Sequence, residues 1–141
     1  MLDQYRDYLL TGFSDDCLSG ELNISSSGNI RCQYAPFEHV NGGARVVLLG
    51  ITPGSAQATT ALQTLRSELQ AGTPDELALE RAKNTASFSG PMRSNLIAML
   101  DDLGINSRLG LETTGSLFSD RSDLVHFTSA VRNPVFVDGK N

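Results

Sequence analysis

The stretch "RVVLLGITPGSAQA", residues 45 to 58, constrains the fold more than any other part of the chain. Val46, Val47, Leu48 and Leu49 form a short continuous apolar run, which at this length suits a strand covered on both faces. Gly50 and Gly54 permit a close backbone approach, and Pro53 fixes one dihedral, so the chain turns sharply here. From Ser55, a plausible N-cap, the pattern changes to Ala58, Leu62, Leu65 and Leu69, an apolar stripe at helical intervals. A strand, a glycine turn and a helix start make the first half of a strand-helix-strand unit. In such sheets ligands bind beyond the carboxyl ends of the strands. Many α/β proteins also need such a turn whatever they bind.

A second strand is expected at "LVHFTSAV", residues 124 to 131. About seventy residues separate the two runs, and a parallel crossover needs only about a dozen or more. Val46 to Ile51 and Leu124 to Val131 are therefore expected to pair as parallel neighbours joined by a right-handed crossover. The intervening chain reads as helices. "AGTPDELALERAK" carries a stop at Gly72 and a start with Thr73 as N-cap, Pro74 as the first helical position and Glu76 as capping-box partner. "PMRSNLIAMLDDLG" gives Met92, Leu96, Met99, Leu100 and Leu103 as an apolar face ended by Gly104. A first helix over about Leu2 to Leu10 carries Leu2, Tyr5 and Leu9 at helical spacing. Asp15 to Gly43 reads as mostly loop, with weak strand signals at "ELNIS" and "NIRCQYAPF". "INSRLGLETTGSLFSDRSD" has little periodicity, and "RNPVFVDGKN" reads as a loop or short hairpin.

The 141 residues describe one domain of α/β class, a layered fold with a parallel sheet core. Two strands make a poor sheet, and the pattern stops at Lys140-Asn141 without a closing element, so the domain reads as incomplete. One side of the first strand is then expected to stay open, which favours self-association.

The formal net charge of -5 argues against broad affinity for phosphate backbones, although a local basic patch can exist on an acidic protein. No apolar run is long enough to cross a membrane, and "MLDQYRDYLL" lacks a signal peptide's apolar core, so a cytoplasmic location is expected. Cys17 and Cys32 are expected as reduced thiols, a disulfide between them being the alternative; no metal-ligand spacing accompanies them.

Three segments in order resemble the uracil-DNA glycosylase superfamily. "VVLLGITPG" looks like its first motif, Gly-x-x-Pro-Gly or a close variant after the first strand. "SFSGPMRSNLIAMLDDLGI" is similar to its Phe-x-Gly loop and following helix, and "LVHFTSAVRNP" resembles its second core strand. The likeness spans residues 46 to 134. It implies a pocket that receives a base flipped out of DNA, since a base's reacting atom is inaccessible inside the duplex. It further implies hydrolysis of the N-glycosidic bond without a cofactor.

The resemblance distributes roles over the motifs. Gly50, Ile51, Pro53 and Gly54 form the pocket floor, and Phe88 takes the position of the aromatic that stacks on the base. The alternative for Phe88 is an ordinary core phenylalanine. Ser129, or Thr128 if the register slips, stands where members place an Asn that reads the base edge; a hydroxyl has shorter reach and fewer donors than an amide. Thr52 takes the catalytic position, where members carry an Asp or Asn, and Ile51 stands where others carry a Glu. Threonine can orient a water but cannot serve as a carboxylate base, and loss of a general base typically removes about a hundred- to ten-thousand-fold of rate.

The family's later His motif has no match, and would fall after Asn141. His39 and His126 read as structural. Ser55 is a candidate for phosphate contact and Arg93 for phosphate or base-edge contact, because a cation in a first helical turn is mildly disfavoured by the helix dipole; the alternative for Arg93, and equally for Arg132 and Lys140, is a solvated surface. Asp15-Asp16 and Asp101-Asp102 read as solvated. Two further alternatives stay open: a catalytically silent relative that binds nucleic acid, a nucleotide or a protein, and an unrelated doubly wound protein holding a phosphate at the Ser55 helix N-terminus.

Overall fold

The computed structural model describes residues 1–141. Its helices are α1 (Leu2–Thr11), α2 (Ser55–Gln70), α3 (Asp75–Ala86), α4 (Pro91–Asp102) and α5 (Ile105–Leu109). Its strands are β1 (Asn23–Ser27), β2 (Ile30–Gln33), β3 (Val46–Gly50), β4 (Val125–Ser129) and β5 (Val135–Val137). Short 3-10 turns lie at Gly20–Leu22, Thr114–Phe118 and Ser122–Leu124. The fold is mixed α/β with two small sheets. No helix is long and apolar enough to cross a membrane.

The parallel pair expected from the two apolar runs is present. Val46 lies opposite Val125, Leu48 opposite Phe127 and Gly50 opposite Ser129. Coverage of β3 differs from the expectation for a continuous apolar run. Leu48 is buried against Leu117, Leu124, Val125 and Phe127, whereas Val47 and Leu49 are 60% and 66% exposed. Side chains alternate across a strand, so a sheet packed on one face buries every second residue only.

A second sheet, antiparallel with the order β1-β2-β5, forms where the sequence gives only weak strand signals, at "ELNIS" and "NIRCQYAPF", and in the segment read as a loop or short hairpin. Gly28 at φ 58 opens the turn between Ser27 and Ile30, where a positive φ suits a two-residue hairpin. β2 then pairs with β5, Ile30 facing Val137 and Cys32 facing Val135. The polar run at Ser25 to Ser27 is fully exposed, so no alternation marks it as a strand.

The larger core lies between this sheet and the helices. Leu2, Tyr5 and Leu9 of α1 meet Tyr34, Leu62, Leu65 and Phe136, and the Tyr5 and Tyr34 rings stack with centroids 4.2 Å apart. Each such side chain contributes about 1.5–3 kcal/mol on full burial. α2 and α3 pack through Ala58, Ala61, Ala78, Ala82 and Ala86, and small side chains let helix axes approach closely. Arg6 and Asp75 pair between α1 and α3.

Several local expectations are corrected. Gly54 is the N-cap of α2 and Ser55 its first residue; the Gly54 N–H donates to Gln57 Oε1 at 3.1 Å. Thr73 does not cap α3: Pro74 holds that place, and the Thr73 hydroxyl donates to Glu68 Oε2 instead. Gly72, at φ 76, follows the end of α2 as expected. On α4, Leu96 and Leu100 pack on the smaller core, while Met92, Met99 and Leu103 stay exposed. Asp101 is engaged rather than solvated, accepting from Thr113 Oγ1 at 2.6 Å and from the Thr114 N–H at 2.7 Å. The Thr113 bond, followed by the Thr114 one, holds its carboxyl below the usual range. Both thiols are free, Cys17 buried and Cys32 partly so.

Candidate functional site

A cavity of about 560 Å³ opens at the carboxyl ends of β3 and β4, within the range of small-molecule sites. Its base is the end of the parallel pair. Gly50 faces Ser129, and the pairing runs one step further, with Ala130 N–H on the Gly50 carbonyl and Val131 N–H on that of Ile51, both at 2.9 Å. An added Cβ at Gly50 would stand 3.4 Å from Ser129 Oγ and 3.7 Å from the Phe88 ring. The missing side chain thus leaves the space between them open.

One wall is the turn Ile51–Gly54 with the first turn of α2. The turn is pinned from outside. The Asn141 amide donates to the Pro53 carbonyl at 3.0 Å and the Val135 carbonyl at 2.9 Å. Thr52 Oγ1 donates to the Asn133 carbonyl at 3.2 Å, which leaves its lone pairs to accept. The Ile51 side chain is 82% exposed at the rim.

The opposite wall is the loop Ser87–Ser89. Phe88 adopts φ 52, a left-handed conformation that costs a non-glycine residue about 1–2 kcal/mol. Its ring, partly buried, packs on Phe127 with centroids 6.0 Å apart and a tilt of 56°. Backbone strain of this kind persists where surrounding contacts over-determine it, often at binding sites.

Arg93 supplies much of that constraint, from outside the cavity that holds the other candidate residues. One guanidinium nitrogen donates to the carbonyls of Asn84, Thr85 and Ser87 at 3.3, 2.7 and 2.7 Å. These are groups that the end of α3 leaves without helical partners. The guanidinium also stands 4.9 Å over the Phe118 ring. Arg93 therefore faces a separate groove and positions the Phe88 loop from behind.

Thr52, Gly50, Ile51, Pro53, Gly54, Ser55, Phe88 and Ser129 all line the one cavity, and Thr128 lines it too. Arg132, weighed in the sequence between a phosphate or base-edge contact and a solvated surface, lines it as well, and the sequence reading missed Lys83, Gln57 and Asn141, which share it. Lys83 is 3% exposed and donates from Nζ to the His39 carbonyl. Burial, and then the neighbouring Arg132, push its ammonium down to about 8. One signal was available: Lys83 follows Leu79 by four residues and Ala82 by one, at the edge of the apolar stripe of α3. His126 is structural, its Nδ1 accepting from the Asn41 N–H at 3.3 Å.

The charged side chains of the wall, Lys83 and Arg132, are both cations. No three His, Cys, Asp or Glu side chains come together anywhere in the chain as a metal site would require. What remains is hydrogen bonding, aromatic stacking and positive charge, chemistry suited to a planar, electron-rich ligand.

The chain is 38% identical over 128 residues to the protein named "Uncharacterized protein YoxB" of Bacillus subtilis (strain 168), a match covering 89% of this chain and 50% of that protein. The chain thus spans about half the length of the curated relative it matches. No family model and no solved structure matches it.

Proposed function

We propose that this chain is a uracil-DNA-glycosylase-like domain that receives a base extruded from DNA and hydrolyses its N-glycosidic bond. One observation carries the reading. Gly50, Thr52, Phe88 and Ser129, nominated from three separated segments by their resemblance to glycosylase motifs, line a single cavity at the strand ends. In that arrangement Phe88 stacks on the base, Ser129 meets its edge, and Thr52, with its proton committed to Asn133, accepts from the attacking water.

A catalytically silent relative that binds a base or nucleotide is the second reading. The observation favouring it is the absence of any Asp or Glu from the cavity wall. Threonine orients a water without activating it, which leaves about a hundred- to ten-thousand-fold of rate unrealised.

Single-turnover cleavage of uracil-containing single-stranded oligonucleotides, run beside an affinity measurement, distinguishes them. Binding with slow cleavage that Thr52→Asn accelerates supports hydrolysis, because an amide reaches the water better than a hydroxyl. Binding with no cleavage by either protein supports the silent relative. No preference for uracil-containing over abasic oligonucleotide removes the base pocket altogether.

A further inference from the structure

The cavity carries more positive charge than a neutral base needs. Lys83 and Arg132 both line it, neither forms an ion pair, and no Asp or Glu side chain shares the wall. Lys83 is almost fully buried, yet its one protein partner is the neutral His39 carbonyl. Glu38 lies near enough to favour its charge, but burial and Arg132 outweigh that effect, and the Glu38 carboxylate already accepts from the Tyr34 hydroxyl at 3.0 Å. Buried charges are normally paired, because desolvation of a lone ion is costly.

The adjoining wall adds to the same field. α2 points its N-terminus into the cavity through Ser55, Ala56 and Gln57. It has no acidic residue in its first turn, its N-cap is a glycine with no side chain to accept from the first amides, and Gln57 Oε1 takes only the Gly54 N–H. The amides of such a terminus face outward without helical partners, and the dipole of a 16-residue helix makes that end positive.

We infer that the cavity holds a phosphate group of its ligand, with Lys83 and Arg132 as charge partners and the first turn of α2 as the backbone donor. This goes beyond the base-binding reading and stands without it, since the cations and the helix end select negative charge whatever else the ligand carries. The same phosphate chemistry is offered by a free nucleotide and by a DNA strand. A buried Lys83 requires the anion to enter the cavity, while the exposed Arg132 meets it at the mouth.

Isothermal titration with inorganic phosphate, deoxyuridine, dUMP and a short uracil-containing oligonucleotide tests this. dUMP should bind about tenfold or more tighter than deoxyuridine, the worth of one charge-assisted hydrogen bond. Lys83→Met and Arg132→Gln should each reduce that advantage severalfold, the ratio of dUMP to deoxyuridine affinity falling toward one in both variants. Arg132 is exposed, so its variant tests the site even if Lys83→Met fails to fold.

Tighter binding of the oligonucleotide than of dUMP assigns the phosphate to a strand, and the reverse to a free nucleotide; both support the inference. Inorganic phosphate binding that is lost in Arg132→Gln, with no response to deoxyuridine, supports the phosphate site and overturns the base pocket instead. Equal affinities for dUMP and deoxyuridine overturn the phosphate site and leave the base pocket standing.

Discussion

Gly50 and Ser129 face each other as register partners at the ends of the parallel strands, and a Cβ added at Gly50 would stand 3.4 Å from Ser129 Oγ and 3.7 Å from the Phe88 ring, in the space open between them. That gap is the base of the cavity. Because φ at Gly50 is not positive and the nearest atoms stand at ordinary contact distance, Gly50→Ala should fold normally. It should even gain about 0.5–1 kcal/mol from reduced chain entropy. The methyl would occupy the space a ligand ring needs, so oligonucleotide affinity should fall by about tenfold or more, the worth of one stacking contact. Denaturant titration and affinity measured together check both halves.

Phe88 should behave as a site residue with a share in packing. Its ring is only partly buried, so Phe88→Ala should cost less than the about 3–5 kcal/mol of a fully buried phenylalanine. Base binding should weaken by about 1–3 kcal/mol. Phe88→Gly should be more stable than Phe88→Ala, since glycine adopts φ 52 without strain. Melting curves that place the glycine variant below the alanine variant would contradict the strained-loop account.

Lys83 gives stability a pH dependence of definite sign. Its folded-state value of about 8 lies below the ordinary 10.5. Between those values the unfolded chain binds more protons than the folded one, and stability rises with pH. Below about 8 the folded protein keeps a poorly solvated ammonium and the rise is absent. Groups near Lys83 are Arg132, Glu38, His39 and His126, of which His126, lowered chiefly by burial, is already neutral in this window. Cys32, Tyr5 and Tyr34, raised chiefly by burial from ordinary values of 9.0, 10.0 and 10.0, act in the opposite sense from those values upward, within the upper part of the same window and above it. Subtracting the pH profile of Lys83→Met isolates the lysine. Bound phosphate, by retaining the proton, should flatten the difference.

Val47 and Leu49 share an exposed face of β3, and Ile51 continues it. β3 pairs with β4 alone, so its other edge presents unpaired backbone groups. Apolar surface beside an open strand edge drives association. Light scattering should show self-association at high protein concentration, and Leu49→Lys should reduce it. A concentration-independent monomer, unchanged by the substitution, would contradict this.

Legibility in the sequence followed physical cause. The runs 46–49 and 124–131 were readable because β-branched apolar stretches beside a glycine turn leave few alternatives, and their parallel register follows. Phe88 was singled out by its place in a glycosylase-like motif, while its residues alone left a core phenylalanine equally open; the structure gives it a share in both, lining the cavity and packing on Phe127. The second sheet was only weakly readable, because β1 carries a single apolar residue, Ile24, and the sheet's pairing rests on a turn at Gly28 and on β5 far away in sequence. Lys83 was hidden for a different reason. A lysine within a helix reads as solvated, and only the packing of α2 on α3 buries it. Arg93 was placed correctly in its helix, but its three carbonyl partners depend on how α3 ends.

The most direct measurement is an amide NMR titration of the 141-residue chain with a uracil-containing single-stranded oligonucleotide, repeated with Gly50→Ala. Occupancy of the cavity by a base should shift the amides of Gly50 to Gln57, Phe88 and Ser129, leave the β1–β2 hairpin unmoved, and produce no such pattern in Gly50→Ala. Shifts confined to other surfaces, or an equal response from the Gly50→Ala protein, would contradict a base pocket at the ends of β3 and β4.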